Sequence, residues 1–192
     1  MLASSSAANR KETETVSDLL AARVMSVTQT SAIAAGARFE DGIDFGELPA
    51  AVDILLQQGV VAYRRSPSEA EARFREALEL APHALPVYFC LYKIHTYQGN
   101  LDNALVAAAA GLKEAASQAG WPPAFEDWPE GDDASDQAVR FALYTLKALA
   151  FIRMKRGELS EARRILERLA LLDPAGRVGW PVVSDLLRGL SS

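Results

Sequence analysis

The sequence holds too few cysteines and histidines for a zinc site or a disulfide framework. Cys90 is the single cysteine, so the chain cannot form an internal disulfide, and His83 and His95 are the two histidines. No cysteine stands at a zinc-type spacing from either histidine. Cys90 lies in the apolar stretch VYFCLY, which favours a buried thiol that packs as a small hydrophobe. We therefore expect no metal and no cofactor.

An excess of positive charge and a long apolar run are also missing. The net charge is −5 and the pI is near 5.1, so the chain lacks the electrostatic footprint of a nucleic-acid binder. The longest apolar runs, such as ALVAAAAGL, are far shorter than a bilayer span. The first residues, MLASSSAANRKETETV, contain no apolar core of a signal peptide. We expect a cytoplasmic protein with no nucleic-acid partner and no membrane partner.

Common catalytic motifs are absent as well. The sequence contains no G-x-x-x-x-G-K-[ST], no G-x-G-x-x-G and no G-x-S-x-G. Its adjacent acids, Glu126–Asp127 and Asp132–Asp133, stand in a loop-like segment where carboxylates are normally solvated rather than tuned for catalysis. An enzyme is therefore the least favoured function class.

What the sequence does contain is helix-forming pattern. Alanine and leucine are abundant and aromatic residues make up 8 %, which favours helix over strand. Residues 1–14 are polar and predict a disordered tail, and residues 15–47 predict a helix followed by a loop. Residues 48–192 predict one helical domain, interrupted at 119–136 by prolines, tryptophans and acids.

The helical domain repeats itself. Four pairs of small or apolar residues are each separated by 34 residues: Ala70 and Ala104, Phe74 and Ala108, Ala77 and Gly111, Leu78 and Leu112. A third copy follows at a separation of 58, with the extra residues taken up by 119–136 and a lengthened helix: Ala162, Leu166, Leu169, Ala170. The stretches FREALELAP and LERLALLDP therefore occupy the same place in two repeats.

The residues at these positions carry a family resemblance. Repeat 1 has Ala70, Phe74, Ala77 and Pro82; repeat 2 has Tyr88, Leu91, Gly99, Leu101 and Ala104; repeat 3 has Leu149, Ala150, Gly157, Leu159, Ala162 and Pro174. This pattern resembles the tetratricopeptide repeat (TPR) family, with about three imperfect repeats over residues 50–174. The resemblance implies an all-α fold of TPR-like helical hairpins in a right-handed solenoid. Residues 181–190 would form a C-terminal capping helix.

The resemblance also implies a partner-binding groove. In TPR proteins the first helix of each hairpin lines a concave surface that holds a peptide or helix. The matching positions combine aromatic rings with lysines, which favour an acidic partner: Tyr63, Phe89, Lys93, Tyr97, Tyr144, Lys147 and Phe151. The lysine and asparagine that clamp chaperone tails in some relatives are replaced here by Leu55 and Gly59.

The implied function is a non-catalytic protein–protein interaction module, an adaptor or an assembly chaperone. The alternative is a structural subunit whose apolar surface is covered by a homodimer or by a permanent complex. The segment 119–136 adds a possible second contact site at Trp121, Phe125 and Trp128. These rings could form a lid over the domain, bind a second partner, reach the groove of a neighbouring molecule, or be disordered.

Overall fold

The computed structural model describes residues 45–131 and 136–190, and all the regular structure in these ranges is helical. The α-helices are α1 (Ala50–Tyr63), α2 (Pro67–Leu80), α3 (Leu85–Tyr97), α4 (Leu101–Gln118), α5 (Gln137–Lys155), α6 (Leu159–Leu172) and α7 (Trp180–Leu190). A short 3₁₀ helix, Phe125–Asp127, lies between α4 and α5. The predicted all-α class is confirmed for these residues. The predicted tail, 1–14, and the predicted helix within 15–47 lie outside them.

The helix ends follow from local chemistry. Ser66 accepts a hydrogen bond from the backbone N–H of Glu69 at 3.3 Å, and Pro67 occupies the first helical position of α2. After α3 and α5 the chain turns through Gly99 and Gly157, whose φ angles of 75° and 80° are costly for any other residue. At both turns the N–H after the glycine bonds a carbonyl five residues earlier, which is the Schellman arrangement.

Consecutive helices pack against each other along the whole described domain. Three-residue links join α1 to α2, α3 to α4 and α5 to α6, so each of these pairs forms an antiparallel hairpin. In addition, α3 touches both α1 and α5, and α7 packs on α5 and α6 through the buried Val183 and Leu187. The helices α1, α3 and α5 are therefore neighbours in space.

Small residues set the distance between paired helices. The repeated alanines Ala70, Ala104 and Ala162 are completely buried. The closest approach is between α1 and α2, where a Cβ added to Gly59 would lie 2.3 Å from Cε1 of Phe74. Only a residue without a side chain fits beneath that ring. Glycine lowers the helix propensity of α1, and the contact with Phe74 explains why it is present.

We predict that Gly59→Ala destabilises the domain. The new methyl group has to displace a buried ring, and overpacking of this kind costs about 1–3 kcal/mol. The free energy of unfolding from urea titration measures the effect. Gly189→Ala is the matched control, because Gly189 is also in a helix but has no atom within 4 Å of an added Cβ. Equal stability of the two variants would contradict the packing described here.

Candidate functional site

Three helices bring six of the predicted groove residues into one group, which we call the lysine–tyrosine cluster: Tyr63 on α1, Phe89, Lys93 and Tyr97 on α3, Tyr144 and Lys147 on α5. The rings of Tyr63 and Tyr97 lie 6.3 Å apart and join α1 to α3. The ammonium groups of Lys93 and Lys147 are close enough to repel each other, which joins α3 to α5. The cluster therefore spans all three hairpins.

Lys93 occupies the middle of the cluster. Residues four apart share one side of a helix, so Phe89, Lys93 and Tyr97 line up along α3. The Nζ atom lies 4.7 Å from the centre of the Phe89 ring and 5.8 Å from that of Tyr97. Within the described ranges, no carboxylate or carbonyl oxygen accepts a hydrogen bond from it. Burial lowers the pKa of Lys93. Among the described residues, aromatic rings and no carboxylate lie against its amino group.

Lys147 has a different environment. Its side chain is 1 % exposed, its Nζ donates to the carbonyl oxygen of Val178 at 2.5 Å, and it lies 4.9 Å from the centre of the Tyr144 ring. Burial lowers the pKa of Lys147 to about 7, repulsion from Lys93 adds to this, and Asp173 acts in the opposite direction. Lys147 thus ties α5 to the segment that leads into α7.

Two of the predicted groove residues do not line an open surface. Lys147 and Phe151 are both buried, whereas Tyr63, Phe89, Lys93 and Tyr144 are partly exposed and Tyr97 is 36 % exposed. Helix α5 packs against α4, α6 and α7, and the segment before α7 bonds Lys147 directly. The nearly continuous apolar sequence of α5 indicates a helix that is covered on most sides, and this signal could have corrected the expectation.

The tyrosines of the cluster are neutral at ordinary pH. Burial raises the pKa of Tyr63 and of Tyr144, and it raises the pKa of Tyr97 to about 12. Their hydroxyl groups can therefore donate hydrogen bonds but add no negative charge beside Lys93.

The segment 119–131 folds onto α6. The ring of Trp128 is 1 % exposed, lies 4.8 Å from that of Trp121, and donates through Nε1 to the carbonyl oxygen of Pro122 at 2.8 Å. Trp128 is therefore a core residue and not part of an exposed contact site. Trp121 and Phe125 are half-buried.

Two arginines that the sequence analysis did not single out hold this segment. Arg168 on α6 donates to the carbonyl oxygens of Phe125 and Trp128 and to the carboxylate of Glu130, the last at 2.6 Å. Arg164 pairs with Glu126, and its guanidinium lies 5.1 Å from the centre of the Phe125 ring. Their acceptors stand about forty residues earlier in the chain, so no local sequence pattern points to them.

His95 is packed between helices. It is 2 % exposed, its Nε2 lies 3.6 Å from a carboxylate oxygen of Glu71, and its Nδ1 has no hydrogen-bond partner among the described residues. Burial lowers its pKa. Within residues 45–131 and 136–190, no three His, Cys, Asp or Glu side chains gather where they could hold a metal ion. No helix in those ranges has the length and apolarity needed to cross a membrane.

Comparison with known proteins returns no match: no family model fits the chain, and no curated protein and no solved structure is significantly similar to it.

We predict that Lys147 makes stability rise with pH. An unfolded lysine keeps its proton up to a pKa near 10.4, whereas folded Lys147 loses it near pH 7. Between about pH 7 and pH 8.5 the unfolded state therefore binds more protons, and the slope of the unfolding free energy grows from about 0.7 to about 1.3 kcal/mol per pH unit.

Lys147→Met removes this dependence, so its unfolding free energy rises less steeply over the same range than that of the wild type. Urea titrations at several pH values measure the two slopes. Lys113→Met on α4, which replaces an exposed lysine in the same way, is the control. Parallel slopes for the wild type and Lys147→Met would show that Lys147 titrates normally.

We also predict that Arg168→Ala releases the segment around Trp128. Three acceptors lose their donor, which should shift the tryptophan fluorescence emission to longer wavelength and cost about 1–3 kcal/mol of stability. Arg73→Ala on α2, which removes an exposed pair with Glu76, is the control. An unchanged emission spectrum in Arg168→Ala would mean that the arginine does not hold the segment.

Proposed function

We propose that this chain is a non-catalytic protein-interaction module, an adaptor or an assembly chaperone, that binds an extended segment or a helix of a partner protein at the lysine–tyrosine cluster. In this proposal the three hairpins form a right-handed, TPR-like solenoid, α1, α3 and α5 line its concave face, and α7 caps its C-terminal end. The proposed compartment is the cytoplasm. Cysteines there normally stay reduced, and Cys90 is a buried free thiol.

The observation that carries the proposal is the combination of rings and cation in the cluster. Tyr63, Phe89, Tyr97 and Tyr144 come from three helices and remain partly exposed. The rings of Phe89 and Tyr97 lie against Lys93. Aromatic residues supply large contact area at a low entropic cost, and they dominate the energy of many interfaces. A cation already held against rings adds a specific polar contact. Such a surface can select a partner without any catalytic group.

A second candidate function rests on the exposed apolar side of α1. Ile54 and Val61 stand seven residues apart, so they share one side of the helix, and they are 54 % and 73 % exposed. This surface favours a structural subunit that is covered by a second copy or by a permanent partner. The two candidates use different surfaces, so one experiment can separate them.

Photo-crosslinking from defined positions tests the proposal. A photoreactive phenylalanine analogue replaces Tyr97 in one variant and Val106, which is 69 % exposed on α4, in the control. We expect irradiation in cell extract to give one adduct with a different protein from position 97, none from position 106, and loss of the adduct when Phe89→Ala is added.

The other outcomes are equally informative. Adducts of the same mass from both positions, or no adduct from position 97, would contradict binding at the cluster. An adduct with twice the mass of the chain from a third probe at Val61, together with no adduct from position 97, would support the structural subunit instead.

A further inference from the structure

The acidic and basic residues of the described domain are divided between two sets of helices. The helices α3 and α5 contain no aspartate or glutamate, and α1 contains only Asp53. The helices α2, α4 and α6 contain eight carboxylates between them: Glu69, Glu71, Glu76, Glu79, Asp102, Glu114, Glu161 and Glu167. In a chain with a net charge of −5, the helices that build the lysine–tyrosine cluster are therefore depleted of negative charge.

The cations on the other helices are largely neutralised. Arg75 bonds Glu71 at 2.6 Å, Arg73 bonds Glu76 at 3.1 Å, and Arg168 bonds Glu130 at 2.6 Å. Lys93 is unlike them, since its described neighbours are the rings of Phe89 and Tyr97 and no acid pairs with it. The charge of Lys93 helps to lower the pKa of Lys147. Asp173, which lies near Lys147, already accepts hydrogen bonds from the backbone N–H groups of Arg177 and Val178.

The amino group of Lys93 is therefore available to pair with a carboxylate of a partner protein. The carboxylate would meet an ammonium group that gives up few existing hydrogen bonds, next to rings that exclude water and strengthen the attraction. It would also relieve the repulsion between Lys93 and Lys147. A polyanion such as nucleic acid fits less well, because the carboxylates of α2, α4 and α6 would repel a phosphate chain that runs past the cluster.

Building on the proposed function, we propose that the bound segment is acidic: an Asp or Glu carboxylate of a partner protein pairs with Lys93, and an adjacent apolar or aromatic side chain packs on Phe89 and Tyr97. Lys93 sets the specificity of the cluster, and the rings supply its contact area. The partner class is thus an acidic peptide segment that carries apolar residues.

Selection from a displayed library of random peptides tests this inference with the full chain. We expect the wild type to enrich peptides in which Asp or Glu stands next to Leu, Phe or Trp. Lys93→Gln should fail to enrich them. Lys113→Gln, a matched change at an exposed lysine on α4, should enrich the same peptides as the wild type. Thermal melts of the variants show whether each is folded.

Fluorescence anisotropy with one selected peptide then isolates the charge pair. Replacing its acid with Gln should raise Kd about tenfold for the wild type and hardly at all for Lys93→Gln, because the two changes remove the same contact. Lys93→Arg keeps the positive charge and should keep most of the affinity. If Lys93→Gln does not fold, the comparison of the acidic and Gln-substituted peptides on the wild-type protein still tests the charge pair.

The failures of the inference and of the proposed function can be told apart. If the selected peptides are neutral or basic and lose binding to Tyr97→Ala, the cluster binds peptides but the acidic partner is wrong. If no peptide is enriched, or if every selected peptide binds Tyr97→Ala and Lys93→Gln as well as it binds the wild type, both the inference and peptide binding at the cluster are overturned.

Discussion

The described domain depends on pairs of helices that approach so closely that a side chain of one rests on the backbone of the other. The ring of Phe74 lies over Gly59, and the Cβ of Tyr88 lies 2.7 Å from the place where a side chain would begin at Gly111. The buried alanines Ala70 and Ala162 allow similar approach in the first and third hairpins. Dispersion forces act only over such short distances, so these small residues determine how well each hairpin packs.

Close packing of the hairpins also determines what the surface can do. Because α3 contacts α1 and α5 directly, side chains from three separate hairpins meet in the lysine–tyrosine cluster. The same arrangement buries Lys147 and attaches it to the segment before α7. The two lysines thus differ in their surroundings: Lys147 is buried and bonded to the carbonyl oxygen of Val178, whereas Lys93 lies against aromatic rings and pairs with no carboxylate of the described residues.

Much of the fold follows from local sequence. Ser66 with Pro67, and the glycines at 99 and 157, mark helix ends through hydrogen bonding and backbone conformation that neighbouring residues determine. The spacing of Phe89, Lys93 and Tyr97 by four residues is sufficient to place them on one side of α3. The position of the cluster could therefore be predicted in outline.

The remaining features depend on contacts between distant parts of the chain. Lys147 is buried where the chain around Val178 returns to α5. Trp128 is buried because Arg168 binds backbone carbonyls in the segment between α4 and α5. Every residue has a backbone carbonyl group, so the residue types in a sequence do not show which carbonyl oxygens an arginine will bind.

The central claim is that the positive charge of Lys93 forms an ion pair with a carboxylate of an acidic partner. The most direct measurement is the pKa of Lys93, followed by NMR through the carbon next to its amine, first in the free protein and then with an acidic peptide bound. The account predicts a pKa below the ordinary lysine value in the free protein, because burial disfavours the charge, and a rise towards or above that value when a carboxylate binds. An ordinary pKa in the free protein that does not change on binding would contradict it.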